Sequence, residues 1–249
     1  MLQDKRHYVW RNRLFFLLAG SLSLLQVLGQ KTVINDPNVE VRSVKGYHGI
    51  EVSNAIDLYL SQGDQETVAV SAVDVKWRDR IRTEVVNGIL KIWLDNKGWA
   101  WSNGNKKMKA YISFTTLDKL VASGASDVFV DGVISGSSLD IRLSGASDFK
   151  GAIKVNELNL DQSGASDAHI TGTVAGLTTI QSSGASDVKG YDLITGSCNA
   201  HLSGASDVRI TVNKELNVHA SGASSVYYKG DAVIREMHSS GASSVSKKS

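Results

Sequence analysis

Cysteine is nearly absent. Cys198 is the one thiol in 249 residues, which excludes an internal disulfide framework and a cysteine-based zinc site. Proline occurs once, against a usual share of about 5%, so collagen-like and proline-rich linker chains are excluded. Neither sign of charge dominates: 27 basic and 25 acidic groups leave a net charge of +2, too little for the clustered basic face that nucleic acid requires. Common catalytic signatures are missing as well, including a Gly-x-Ser-x-Gly elbow, a His-Glu-x-x-His pair, paired cysteines and a glycine-rich nucleotide loop. What is present is ordinary for a folded chain, with 42% hydrophobic and 21% charged residues, so disorder is excluded too. The length suits one large or two small domains.

The first thirty residues read as an export signal. Lys5, Arg6, Arg11 and Arg13 stand against the single acid Asp4, and Leu14 to Leu28 carries no charge. The run is short for a bilayer-spanning helix, which needs about 20 residues, and Val27-Leu28-Gly29 fits a small-residue cleavage site. Residues 1–29 are therefore expected to be a signal peptide and Gln30 the mature start, with no integral membrane span left after cleavage. No cysteine follows the run to take a lipid. Removal leaves 23 bases against 24 acids. Cys198 is expected to be a buried filler in an exported, periplasmic or surface-located protein.

The second half repeats itself. Ser-Gly-Ala-Ser begins at Ser123, Ser144, Ser163, Ser183, Ser203, Ser221 and Ser240, at spacings of 21, 19, 20, 20, 18 and 19 residues. The first five copies run on into Asp127, Asp148, Asp167, Asp187 and Asp207; the last two have Ser225 and Ser244 there. Each copy follows an alternation of apolar and polar residues, such as Leu139-x-Ile141-x-Leu143, and precedes another, such as Val208-x-Ile210-x-Val212. Period two means strands with one buried face. About 20 residues per repeat is too short for a propeller blade, which needs about 40 or more. Extended at roughly 3.3 Å per residue, such a repeat traces about 66 Å, one coil of a solenoid. A parallel β-helix of about seven Ser-Gly-Ala-Ser coils is expected, with the motif at a sharp corner of each. Stacked aspartates repel by about 0.9 kcal/mol per neighbouring pair at 4.8 Å in water. Calcium on Asp127, Asp148, Asp167, Asp187 and Asp207 is accordingly a candidate, although the calcium-binding Gly-Gly-x-Gly-x-Asp repeat does not occur.

Several stretches taken together resemble a known family: Gly46-Tyr47-His48-Gly49-Ile50-Glu51-Val52, then Asp57-Leu58-Tyr59-Leu60-Ser61-Gln62-Gly63, then Gly88-Ile89-Leu90-Lys91-Ile92, then Leu117-Asp118-Lys119-Leu120 opening the repeats. In order and spacing, over roughly residues 40–245, they are similar to the head GIN domain family of auto-transporter adhesins. The resemblance implies an exported bacterial protein, typically of the Bacteroidetes. It also implies a right-handed parallel β-helix like that of pectin lyase-like proteins, a role in cell adhesion, and no shared catalytic residues. No separate auto-transporter barrel is expected within this chain.

Residues 30–120 form an N-terminal β-rich part, either early coils or a cap, and residues 121–249 the β-helix repeats. Val68-x-Val70, Ile81 to Val86, Ile89 to Leu94 and Met108 to Phe114 read as strands, with Asn87-Gly88 as a hairpin turn. The polar, glycine-rich stretch around Trp99 and Trp101 reads as a loop whose indoles either cover the solenoid or stack on a sugar. His169, His201, His219 and His238 are read as falling at different offsets from the repeat, with no shared site; His201 is placed on the outward face. The expectation is an exported non-enzymatic β-helix, an adhesin or envelope interaction module without a required cofactor, which binds a cell-surface glycan or protein. A homo-oligomer formed through the coil ends stays open. The alternatives are a pectin lyase-like carbohydrate-active enzyme, for which stacked carboxylates about 5–10 Å apart would serve, and a calcium-stabilised structural solenoid.

Overall fold

The structure, a computed structural model, describes residues 36–96 and 106–249. The expected signal peptide, its cleavage site, Trp99 and Trp101 lie outside the described residues. In chain order the elements are β1 (Glu40–Arg42), β2 (Gly49–Val52), β3 (Ile56–Gln62), β4 (Thr67–Ser71), the single-turn α1 (Val75–Arg78), β5 (Ile81–Val86), β6 (Ile89–Leu94), β7 (Met108–Phe114) and β8 (Lys119–Ala122). There follow β9 (Val128–Ser135), β10 (Ser138–Leu143), β11 (Phe149–Gln162), β12 (Ala168–Ser182), β13 (Asp187–Leu202), β14 (Asp207–Ala220), β15 (Ser225–Lys229), β16 (Val233–Ser239) and β17 (Ser244–Lys247).

The fold is the expected β-solenoid of stacked parallel strands. Each coil has two faces joined at the Ser-Gly-Ala-Ser corner. On the face before the corner, β6, β2, β8 and β10 pair in parallel, then the second halves of β11 to β14, then β16. On the face after it the series is β7, β3, β9, the first halves of β11 to β14, β15 and β17. Alternation sends every second side chain inward, and in-register pairing stacks these into columns. Leu90, Ile50, Leu120, Ile141, Leu160, Ile180, Ala200 and Val218 form one such column, each at most 1% exposed. It ends on Met237, exposed on the outer strand β16.

Repetition at the corner has a steric cause. The motif glycines sit at φ of 72–84°, where a Cβ crowds the following carbonyl. A Cβ on Gly145, Gly164, Gly184, Gly204 or Gly222 would also collide with the carbonyl oxygen of the glycine one coil earlier. That same oxygen accepts the motif alanine's N–H, as in Ala185 N to Gly164 O and Ala205 N to Gly184 O at 2.8 and 2.7 Å. The second motif serine turns inward, where Ser126, Ser147, Ser166, Ser186, Ser206 and Ser224 are fully buried. In Ser166, Ser186, Ser206 and Ser224 its hydroxyl donates to the carbonyl of the first serine, as in Ser186 Oγ to Ser183 O at 3.0 Å and Ser224 Oγ to Ser221 O at 2.8 Å, whereas Ser126 and Ser147 Oγ accept the N–H of Ile56 and Ser126. The buried hydroxyl of those four donors is thus satisfied within its own turn.

Coil order departs from chain order at the N-terminal end. The coil of β2 and β3 forms first in sequence, yet β6 and β7 lie on its outer side and β8 and β9 on its inner side. The chain returns through β4, antiparallel to β7, and through β5, which makes the Asn87-Gly88 hairpin with β6. Both turn residues have positive φ, 51° and 76°, as a type I′ turn demands. β4 and β5 therefore cover the outermost coil, and the three-residue β1 covers β4. Trp77 of α1 is buried in this layer. At the other end β16 and β17 each pair on one side only among the described residues.

Ser186→Ala is expected to cost about 1 kcal/mol of stability, the usual worth of a satisfied hydrogen bond. Ser183→Ala should cost less and Gly184→Ala more, through the clash and the left-handed backbone; urea unfolding of the three variants checks the order. Cys198 is wholly enclosed and burial pushes its thiol up to about 12. It should resist thiol reagents in the folded protein and react at once in urea, as colorimetric titration would show.

Candidate functional site

Outward side chains stack in columns just as inward ones do, and three columns carry chemistry. The first is the aspartate ladder immediately after the corner. Asp148 N donates to Asp127 Oδ1 at 3.3 Å, Asp167 N to Asp148 Oδ1 at 3.0 Å, and Asp187 N to Asp167 Oδ1 at 3.3 Å. Asp127 N in turn donates to Asp57 Oδ1 at 3.4 Å, so the ladder has a rung outside the motif copies. The outer carboxylate oxygens meet cations: Lys189 Nζ lies 2.8 Å from Asp167 Oδ2, and Arg209 lies 3.1 and 3.7 Å from Asp207 and Asp187. Backbone donors and basic neighbours thereby answer the repulsion that stacked carboxylates create. Calcium takes six to eight oxygens around one point, whereas these aspartates extend as a line. Among the described residues the donor atoms that converge within 4.8 Å of one another belong to His219, Glu236 and His238.

The second column lies on the same face, two residues further along each strand. Tyr111, Tyr59, Phe129, Lys150, His169, Lys189, Arg209 and Tyr227 are in register. Tyr59 stacks against Tyr111 and Phe129 with ring centroids 5.2 and 5.3 Å apart. Arg209 and Lys248 lie over the Tyr227 ring at 5.6 and 4.7 Å. The column is aromatic at Tyr111, Tyr59 and Phe129, basic from Lys150 to Arg209, and aromatic again at Tyr227 before it ends on Ser246. Trp99 and Trp101 belong to the connection between β6 and β7, and β7 carries Tyr111.

The third column is on the face before the corner: Arg142, Asp161, Gln181, His201, His219 and His238. The imidazoles of His201, His219 and His238 stack at 4.9 and 4.8 Å. They line a groove of about 600 Å³ together with Asp161, Gln181 and the first motif serines of four coils. Beside them runs a column of Asp140, Asn159, Thr179, Asn199, Asn217 and Glu236. Asn217 Nδ2 donates to Asn199 Oδ1 at 2.9 Å within it.

The expectation that the histidines share no site holds only for His169, which sits on the opposite face. His201, His219 and His238 each stand two residues before the first serine of their motif copy, the signal that would have found them. The outward placing of His201 is as expected.

A family profile described as "Putative auto-transporter adhesin, head GIN domain" matches residues 46–232. A search of curated proteins finds no match. Among solved structures, a "putative adhesin" from Bacteroides fragilis superposes with a TM-score of 0.76 at 20% identity, covering 86% of this chain and 98% of its own. A "putative lipid binding protein" from Parabacteroides distasonis gives 0.63 at 20% identity with the same coverage, and a "putative adhesin" from Parabacteroides merdae 0.60 at 14% identity, again with that coverage. At such identities the likeness is one of fold.

Asp127 has its carboxyl raised above the ordinary value, first by burial and further by the charge of Asp148. A folded-state value above the unfolded one means that the folded protein takes the proton first, so this group adds stability as pH falls towards the ordinary range and removes it as pH rises. Asp127→Asn keeps an oxygen for Asp148 N–H and sheds the charge; it should be at least as stable as the parent at neutral pH. Asp127→Ala loses the acceptor and should be less stable by about 1 kcal/mol. Thermal melts from pH 4 to 8 test both, and a melting temperature that climbs with added Ca²⁺ in the parent alone would support calcium on the ladder.

Proposed function

The chain belongs to the head GIN domain family of auto-transporter adhesins, and from that premise we propose that it is an exported, non-enzymatic adhesion module holding a cell-surface glycan against its aromatic column. The observation that carries this reading is the stack of Tyr111, Tyr59 and Phe129 on three successive coils. Rings stacked at a fixed spacing turn their edges outward as a continuous apolar strip along which a glycan can pack, and rigid strands keep the ordering cost of binding small. Trp99 and Trp101, which precede β7 in sequence, are proposed as further sugar contacts. Lys150 continues the column next to Phe129 and would reach a polar group of the bound sugar. Export is supported by Lys5, Arg6, Arg11 and Arg13 ahead of the uncharged Leu14 to Leu28 run. Among the described residues no helix is long and apolar enough to cross a membrane.

The absence of catalysis is part of the same proposal. Glycoside cleavage needs two carboxylates in different environments, one holding a proton and one charged. Asp127, Asp148 and Asp167 each accept the next coil's N–H, which commits their inner oxygens to the backbone, and Asp167, Asp187 and Asp207 are paired with Lys189 or Arg209.

A glycan array probed with the chain from Gln30 should give reproducible binding. Binding should fall at least tenfold in the Trp99→Ala, Trp101→Ala double variant and in Phe129→Ala. No binding by the folded parent would overturn the glycan reading and leave a protein as the partner.

A further inference from the structure

We propose that His219, Glu236 and His238 form a binding site for a divalent transition-metal ion of the zinc class at the end of the histidine groove. The side chains come from two adjacent coils, β14 and β16, which pair in parallel and place His219 opposite His238 and Asn217 opposite Glu236. Glu236 Oε1 lies 2.9 Å from His238 Nε2 and 3.5 Å from His219 Nε2, so both imidazoles aim at one carboxylate oxygen. Ligands held about 2.0–2.2 Å from a tetrahedral zinc ion are about 3.3 Å apart. These separations match, and all three donor atoms lie within 4.8 Å of one another. Small side-chain rotations suffice to admit the ion.

The chemistry of the donors selects the metal. Two imidazole nitrogens and one carboxylate suit zinc, nickel or copper, and they offer little to calcium or magnesium, which seek oxygen. Sequence position adds a second argument. The polar column carries Asn199 and Asn217 and then changes to Glu236 where the neighbouring column supplies paired imidazoles. The carboxylate of Glu236 departs from the asparagines on the two rungs before it and turns to the imidazoles of His219 and His238, unlike the aspartates across the corner, which serve the backbone. Support is in place as well: His201 stacks on the far side of His219 and restricts its ring. Three protein ligands leave a coordination position open, and two of the three, His219 and His238, line the groove.

Zn²⁺ competition against a chromophoric chelator tests the site on untagged full-length protein freed of metal. The expected result is one equivalent bound per chain, unaffected by millimolar Ca²⁺ or Mg²⁺. Glu236→Gln and His238→Gln should each weaken binding at least tenfold, with circular dichroism and melting temperature unchanged because both side chains are exposed on β16. His169→Gln, on the other face, should bind as the parent does. Absence of Zn²⁺ binding by the folded parent, or binding that survives both substitutions, would overturn the proposal and leave a surface His–Glu ion pair. Displacement by Ca²⁺ at equal concentration would overturn the choice of metal class. Because the site lies on the face opposite the aromatic column, glycan binding and Zn²⁺ binding can fail separately.

Discussion

A single contact governs the architecture: the carbonyl oxygen of each motif glycine, approached from the next coil by a glycine with no Cβ and bonded by the N–H of the alanine that follows. It fixes the vertical distance and the rotation between neighbouring coils at one point of the perimeter. Strand pairing on the two faces follows from that register, and in-register strands then force like positions into columns. The corner tolerates no side chain at the glycine, a small exposed one at the alanine, and a hydroxyl at the buried serine that can satisfy itself within the turn. Those three demands explain why the tetrapeptide recurs seven times while the strands between copies vary freely.

Column formation has opposite consequences inside and outside. Inside, stacking like with like is favourable, since apolar side chains gain burial on every rung. Outside, it concentrates charge of one sign, and the protein answers by local pairing. The aspartate ladder lends its inner oxygens to the backbone of the next coil and its outer oxygens to Lys189 and Arg209, two residues further along the strands. Those exposed ion pairs contribute little stability each. Their larger effect is to keep a line of carboxylates compatible with the fold at neutral pH. The histidine column differs, with imidazole rings that stack on one another and a carboxylate, Glu236, beside the last two.

Much of the fold was legible in the sequence, because period-two alternation, glycine placement and the Asn87-Gly88 turn are local signals with a steric basis. The coil order at the N-terminal end was not. Nothing local to Ile89 or Met108 says that β6 and β7 lie outside the coil of β2 and β3; that choice depends on pairing between strands remote in sequence and on the cover given by β4 and β5. Asp57 escaped notice because its corner, Ser53-Asn54-Ala55-Ile56, lacks the motif. There Asn54 and Ala55 take positive φ, 68° and 60°, in place of glycine. The histidine column was readable in principle, since a common distance from the corner serine places all three on one row. What sequence could not supply was the convergence of Glu236 on two of them, which arises only when β16 is laid beside β14.

The direction of the inter-coil hydrogen bonds bears on mechanics. They run along the stack, perpendicular to the strands, so a tensile load between the two ends pulls each bond lengthwise and opens one coil at a time. Such a load meets the outer coil of β16 and β17 first, held from one side only, whereas the other end is tied down by antiparallel β4 and β5. A pull along the strand direction instead shears all the bonds of a coil together and is resisted far more strongly. A molecule of this build therefore yields gradually when drawn out along its axis and holds firm when dragged across it.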